Sequence, residues 1–121
     1  MGASFSTAFS STPIDMADAK KTVQKLIEGE PVVMFSKSYC PYCSASKNLL
    51  NKLGYEFKVY ELDKMANGSD IQDALEVVTG QRSVPNNFIN GESIGGNSDL
   101  QSLHSSNKLE GLLIKAKAVK K

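Results

Sequence analysis

Apolar residues recur along this chain in two rhythms, every third or fourth position and every second position, and their alternation predicts an α/β domain. Ala19, Val23, Leu26 and Ile27 fall on one helical face, with Asp15 as cap and Gly29 as stop. Pro31 then opens the unbroken run from Val32 to Ser36, which reads as a short strand buried on both faces. A second helix is predicted from about Pro41 to Leu53, with Leu49, Leu50 and Leu53 inward and Gly54 as a left-handed stop. Tyr55, Phe57 and Val59 alternate with Glu56, Lys58 and Tyr60, the pattern of a second strand. Strand, helix and strand in this order make a parallel crossover unit.

Ser69 and Gln72 have capping-box spacing before a third helix that carries Ile71, Leu75 and Val78 and closes at Gly80. Residues 84–89 and 92–94 flank Asn90-Gly91, a strong hairpin signal. Two further helices follow, one capped near Ser98 and one spanning about 108–118. The order predicts a four-stranded mixed sheet flanked by helices on both faces, with ligands gathering at the carboxyl ends of its parallel strands.

Composition narrows the classes. The chain has 121 residues, 40% hydrophobic and 22% charged, which fits one globular domain over 15–121 behind a polar, disordered tail over 1–14. Lys and Arg number 14 against 13 Asp and Glu, so no broad electrostatic footprint for nucleic acid exists. Lys115, Lys117, Lys120 and Lys121 read as the solvated, dipole-complementing end of the last helix. No stretch approaches the roughly 18 apolar residues of a membrane span. Met1-Gly2-Ala3-Ser4-Phe5-Ser6 fits the N-myristoylation pattern, so membrane contact is expected only if Gly2 is acylated. The segment from Gly2 to Thr12 has no Arg or Lys, which disfavours a mitochondrial leader, and it lacks the features of a secretory signal. The expected location is the cytoplasm, where a Cys-x-x-Cys pair is more often catalytic than structural.

That pair is Cys40-Pro41-Tyr42-Cys43, at the junction of the first strand and second helix. One thiol stands at the helix N-terminus and the other one turn inside, close enough to bridge. Free N–H groups and the helix dipole favour the thiolate of Cys40, and thiols so placed fall to a pKa of roughly 3.5–7.5. Cys40 is therefore the expected nucleophile, with Lys37 adding to its field, and Cys43 the resolving thiol. Pro41 takes the first helical position, where a missing N–H costs nothing. A zinc site needs about four ligands, and these two cysteines and His104 do not supply them, so no metal is expected. His104 and Arg82 read as surface residues.

Three segments carry a family resemblance: Phe35-Ser36-Lys37-Ser38-Tyr39-Cys40-Pro41-Tyr42-Cys43, Thr79-Gly80-Gln81-Arg82-Ser83-Val84-Pro85 and Gly95-Gly96-Asn97-Ser98-Asp99-Leu100. In this order and spacing, over about residues 16–118, the chain resembles the dithiol glutaredoxins of the thioredoxin-fold superfamily. The resemblance implies a glutathione groove beside Cys40. Lys37 and Gln72 would meet the glycine carboxylate of glutathione. Val84, before a cis Pro85, would pair its backbone with the glutathione cysteine, and Tyr42 would flank the sulfur. The Ser98 N–H and the Asp99 carboxylate would hold the γ-glutamyl end. Gln72 and Asp99 also have plain structural readings, as a capping-box partner and a first-turn acid.

The implied activity is glutathione-dependent reduction of protein–glutathione mixed disulfides and protein disulfides by a monomer, with glutathione as reductant and a bridge near about −200 to −230 mV. The rival reading is a dimeric iron-sulfur carrier, which Pro41 disfavours because cluster-binding members usually have a smaller residue there; a reductase indifferent to glutathione is a third. The chain departs from the family pattern in Ser83, where Thr is usual, and in Asn87, where an apolar residue is usual.

Overall fold

The computed structural model describes residues 16–121; Gly2, the 1–14 tail and the Asp15 cap lie outside the described residues. The first helix, α1 (Met16–Glu28), buries Ala19, Val23 and Ile27. Strand β1 (Val32–Ser36) is buried along its whole length. Its position explains the unbroken apolar run. β1 lies inside the sheet, parallel to β2 (Lys58–Glu61) and antiparallel to β3 (Asn86–Ile89), while β4 (Glu92–Gly95) pairs with β3, giving the order β2-β1-β3-β4.

Successive β1 side chains enter opposite layers. Val33 and Phe35 pack with α1 and with α3 (Gly68–Thr79), whereas Val32 and Met34 pack with α2 (Pro41–Leu53), α4 (Asn97–Ser105) and α5 (Leu109–Lys115). Phe35 is fully buried, stacked on Tyr60 at 5.5 Å and edge-on to Phe88 at 5.8 Å. Each such buried apolar side chain contributes roughly 1.5–3 kcal/mol. The two layers clamp β1, and β1 delivers the chain to Cys40. The predicted fold class therefore holds.

Several boundaries differ from the sequence reading, each for a physical reason. The second strand starts at Lys58 rather than Tyr55 because Tyr55 bridges Lys120 instead of β1. The end of the chain supplies that partner. α5 stops at Lys115, Lys117 turns left-handed (φ 60°), and residues 118–121 return along Gly54–Glu56, where Glu56 N donates to Val119 O at 2.8 Å. Lys120 lies over the Tyr55 ring at 5.1 Å and Lys121 over Phe57 at 5.6 Å. The terminal lysines thus cover aromatic rings rather than finishing a helix.

The capping box expected from Ser69 and Gln72 does not form. α3 begins at Gly68 with Asn67 as its cap, so Ser69 already lies inside the helix. The cap of α4 is Gly96 rather than Ser98, and the Asp99 carboxylate reaches back to Gly96 N at 3.0 Å. The hairpin turns at Asn90 and Gly91, both left-handed (φ 56° and 77°), but β3 begins only at Asn86. Before it, the Val84-Pro85 peptide is cis, as the resemblance implied. Asn87 also finds its account here: the pairing with β4 shifts between Asn87 and Phe88, and the Asn87 amide donates to Gly95 O at 3.1 Å. The buried amide thus finds a backbone partner at the bulge.

Candidate active site

Cys40 is the N-cap of α2, in extended conformation (φ −86°, ψ 120°), and Pro41 occupies the first turn. The Cys43 N–H donates to Cys40 Sγ at 3.4 Å, and the Cys40 thiol lies 3.7 Å from the Val84 carbonyl. Both cysteines are free, Cys40 half-buried and Cys43 fully buried. Partial burial pushes the Cys40 thiol up, but the Cys43 side chain, the backbone N–H groups of Cys43 and Tyr42, and the cation of Lys47 together pull it below its usual value. Burial pushes the Cys43 thiol up, and hydrogen bonds with Ser36 and the Lys37 backbone only partly offset this. Opposite shifts on two adjacent thiols divide the labour. The more accessible sulfur is the more acidic of the two, and the buried one is the less acidic.

The other sequence-derived positions are spread over α2, α3, α4 and the loops after β1 and before β3. Lys37 is half-buried in the loop after β1, and Tyr42 is 68% exposed on the first turn of α2. Half-buried Val84 and buried Pro85 stand at the start of β3, with the Val84 carbonyl turned to the nucleophile. Exposed Ser98 and Asp99 form the first turn of α4. One Asp99 oxygen is engaged with Gly96 N, so the first-turn structural role is present. Gln72 spends its amide on the Arg82 carbonyl at 2.8 Å. Arg82 in turn bonds Asp73 at 2.6 Å and Glu76 at 3.3 Å, so it is tied to α3 rather than free in solvent.

Polar residues absent from the sequence-derived site hold these parts in place. Ser38 meets the carboxylate of Asp63 twice, through its N–H at 2.9 Å and through its hydroxyl, fixing the loop before Cys40 to the 3-10 turn Leu62–Lys64. Gln81 donates to the carbonyls of Ser83 at 2.9 Å and Pro85 at 3.0 Å, and so shapes the loop that presents Val84. Buried Asn86 reaches Thr79 Oγ1 at 3.4 Å. Ser46 donates to Asn97 Oδ1 at 2.9 Å, joining α2 to α4. Lys47 pairs with Glu61 at 2.6 Å across α2 and β2. Each is an ordinary polar residue, and only tertiary proximity marks it. Among the described residues no group of three or more His, Cys, Asp or Glu side chains is placed to hold a metal ion.

Comparison with known proteins agrees with this geometry. The glutaredoxin family model matches residues 32–94, from the first residue of β1 into β4. A glutaredoxin of Vernicia fordii is 53% identical over 97 residues, covering 80% of this chain and 93% of that protein. Glutaredoxin-2 of Schizosaccharomyces pombe is 50% identical over 99 residues, covering 82% and 90%. The crystal structure of a buckwheat glutaredoxin–glutathione complex superposes with a TM-score of 0.85 at 40% identity, covering 88% of this chain and 99% of that one. Matched over its sheet, its thiol junction and its overall fold, the chain belongs to the glutaredoxin family.

Proposed function

We propose that this protein is a glutathione-dependent thiol-disulfide oxidoreductase that reduces protein–glutathione mixed disulfides and protein disulfides, acting as a monomer. The observation that carries the reading is the pair of oppositely shifted thiols on the first turn of α2, beside the Val84 carbonyl. In the first step Cys40 thiolate attacks the glutathionyl sulfur of a mixed disulfide. A new S–S bond forms to Cys40, the old one breaks, and the substrate thiolate leaves. A glutathione thiolate then attacks the glutathionyl sulfur of the adduct, oxidised glutathione departs, and Cys40 leaves as thiolate. A lowered pKa serves this second step, since the more acidic thiol is the better leaving group.

With a protein disulfide, attack by Cys40 leaves a protein adduct that small thiols reach poorly. Cys43 then loses its proton and attacks Cys40 Sγ, so that the Cys40–Cys43 bond forms, the Cys40–substrate bond breaks and the substrate leaves as thiolate. Two glutathiones reduce the resulting bridge and leave as oxidised glutathione.

Glutathione is a tripeptide with a carboxylate at each end and one ammonium, and it needs a cation, an anion and an open strand edge. Lys37 and the second amide hydrogen of Gln72 supply contacts for the glycine end, Val84 before Pro85 the strand edge, Ser98 and Asp99 the γ-glutamyl end, and Tyr42 a wall beside the sulfur. The buckwheat relative was solved as a glutathione complex, which supports glutathione as the ligand.

The test is turnover of a small glutathione mixed disulfide and of a protein disulfide with glutathione as reductant. Cys43→Ser is expected to retain the first activity and lose the second, and Cys40→Ser to lose both. Activity in Cys40→Ser, or none in the unaltered protein, would reject the reading.

A further inference from the structure

Behind the thiols, on the face of α2 turned toward β2, Lys47 Nζ lies 2.6 Å from Glu61 Oε2. The pair is half-buried, with side-chain exposures of 24% and 27%. The second Glu61 oxygen, Oε1, is buried and has no hydrogen-bond partner. This half-buried carboxylate is therefore met by the Lys47 ammonium, a charge-assisted contact.

Position links the pair to the nucleophile. Cys40, Cys43 and Lys47 follow at helical spacings of three and four residues, so they form one stripe along α2. Helical side chains lean toward the N-terminus, the end of α2 at which Cys40 stands. Glu61 is the last residue of β2 and stands in register with Ser36, whose hydroxyl meets the Cys43 thiol. The ion pair therefore sits at the same carboxyl end of the parallel strands as both sulfurs.

We propose that Lys47 and Glu61 are positioning residues that set the acidity of Cys40 as an opposed pair, Lys47 favouring the thiolate and Glu61 limiting how much of that charge the thiolate feels. The field of Lys47 at Cys40 is favourable to ionisation, which agrees with this assignment. The other charged groups around the thiols are Lys37 after β1, Asp63 after β2, Asp99 on α4 and the carboxylate-bound Arg82 before β3. Asp63 is committed to Ser38, Asp99 to Gly96 N and Arg82 to Asp73 and Glu76; Lys37 stands before Cys40 in the chain, and Lys47 and Glu61 meet each other from α2 and β2. The pair also lines an open groove of about 450 Å³ with Asn51, Phe57 and Val59.

The inference rests on Cys40 as the nucleophile but not on glutathione recognition, and its test uses no glutathione. The rate of Cys40 alkylation by iodoacetamide is followed against pH in the reduced protein, where Cys43 is shielded by burial. Lys47→Met should move the midpoint to higher pH and slow alkylation below it by about two- to fivefold, the scale of one partly exposed charge. Glu61→Gln should move it to lower pH, Lys47→Arg should stay near the unaltered protein, and Lys47→Met/Glu61→Gln should fall between the single variants. Midpoints that shift in the same direction in Lys47→Met and Glu61→Gln, or that do not move, would overturn the proposal. A purely structural role would disturb both variants alike, and the opposite signs separate the two.

Discussion

Asp63 shows how much a single exposed side chain can decide next to a reactive thiol. Its carboxylate accepts from the N–H and the hydroxyl of Ser38, and these bonds hold its pKa below the usual 3.8. A folded-state value below the unfolded one means stability fully present above 3.8 and lost as the pH falls through the folded value. The melting temperature of Asp63→Asn should accordingly lie below that of the unaltered protein at neutral pH, and the gap should close as the pH drops under the ordinary carboxylate value. A gap that persists unchanged into acid would show that the Ser38 contact is not its source. Nothing in the sequence marks Asp63, which lies 25 residues from Ser38. Cys40, Pro41 and Cys43 were legible because their chemistry follows from local spacing, whereas Ser38–Asp63 and Lys47–Glu61 exist only once β2 lies beside β1.

At the scale of elements, starts and stops written in backbone preference were readable, and those set by tertiary neighbours were not. α2 ends at Gly54 (φ 84°) and α3 at Gly80 (φ 79°), both in the left-handed conformation expected of glycine stops. The start of α3 was misread because Ser69 and Gln72 imitate a cap, while the controlling residue is Gly68. Its backbone approaches the 3-10 turn so closely that a Cβ would lie 1.9 Å from the Leu62 carbonyl oxygen. Gly68→Ala should therefore destabilise the protein by about 1–3 kcal/mol through forced displacement, outweighing the ~1 kcal/mol that alanine favours a helix interior. Equilibrium unfolding in urea checks this, and unchanged or higher stability would mean that the turn yields freely. The same turn carries Asp63, so a shift there should also loosen Ser38 and the approach to Cys40.

Across the whole molecule, the sheet order β2-β1-β3-β4 brings distant stretches of chain to one end of the sheet. β1 contributes Lys37 and Cys40 through its exit loop, β2 contributes Glu61 and Asp63, and the segment before β3 contributes Val84. Hydrophobic rhythm foretold the sheet and its two helical layers, since burial on both faces of β1 leaves a visible signature in Val32–Ser36. It could not foretell that residues 118–121 return to Gly54–Glu56, because a short bridge and lysine–aromatic contacts leave no periodic trace. If the two thiols act as proposed, Cys40 alone exchanges with glutathione while Cys43 stays in reserve. Mass spectrometry of proteolytic fragments from the reduced protein, mixed briefly with oxidised glutathione and quenched in acid, tests it most directly. Glutathione should be found attached to Cys40 in Cys43→Ser and be removed by added glutathione, with no adduct at Cys43 in Cys40→Ser; an adduct at Cys43, or none at Cys40, would refute this division of roles.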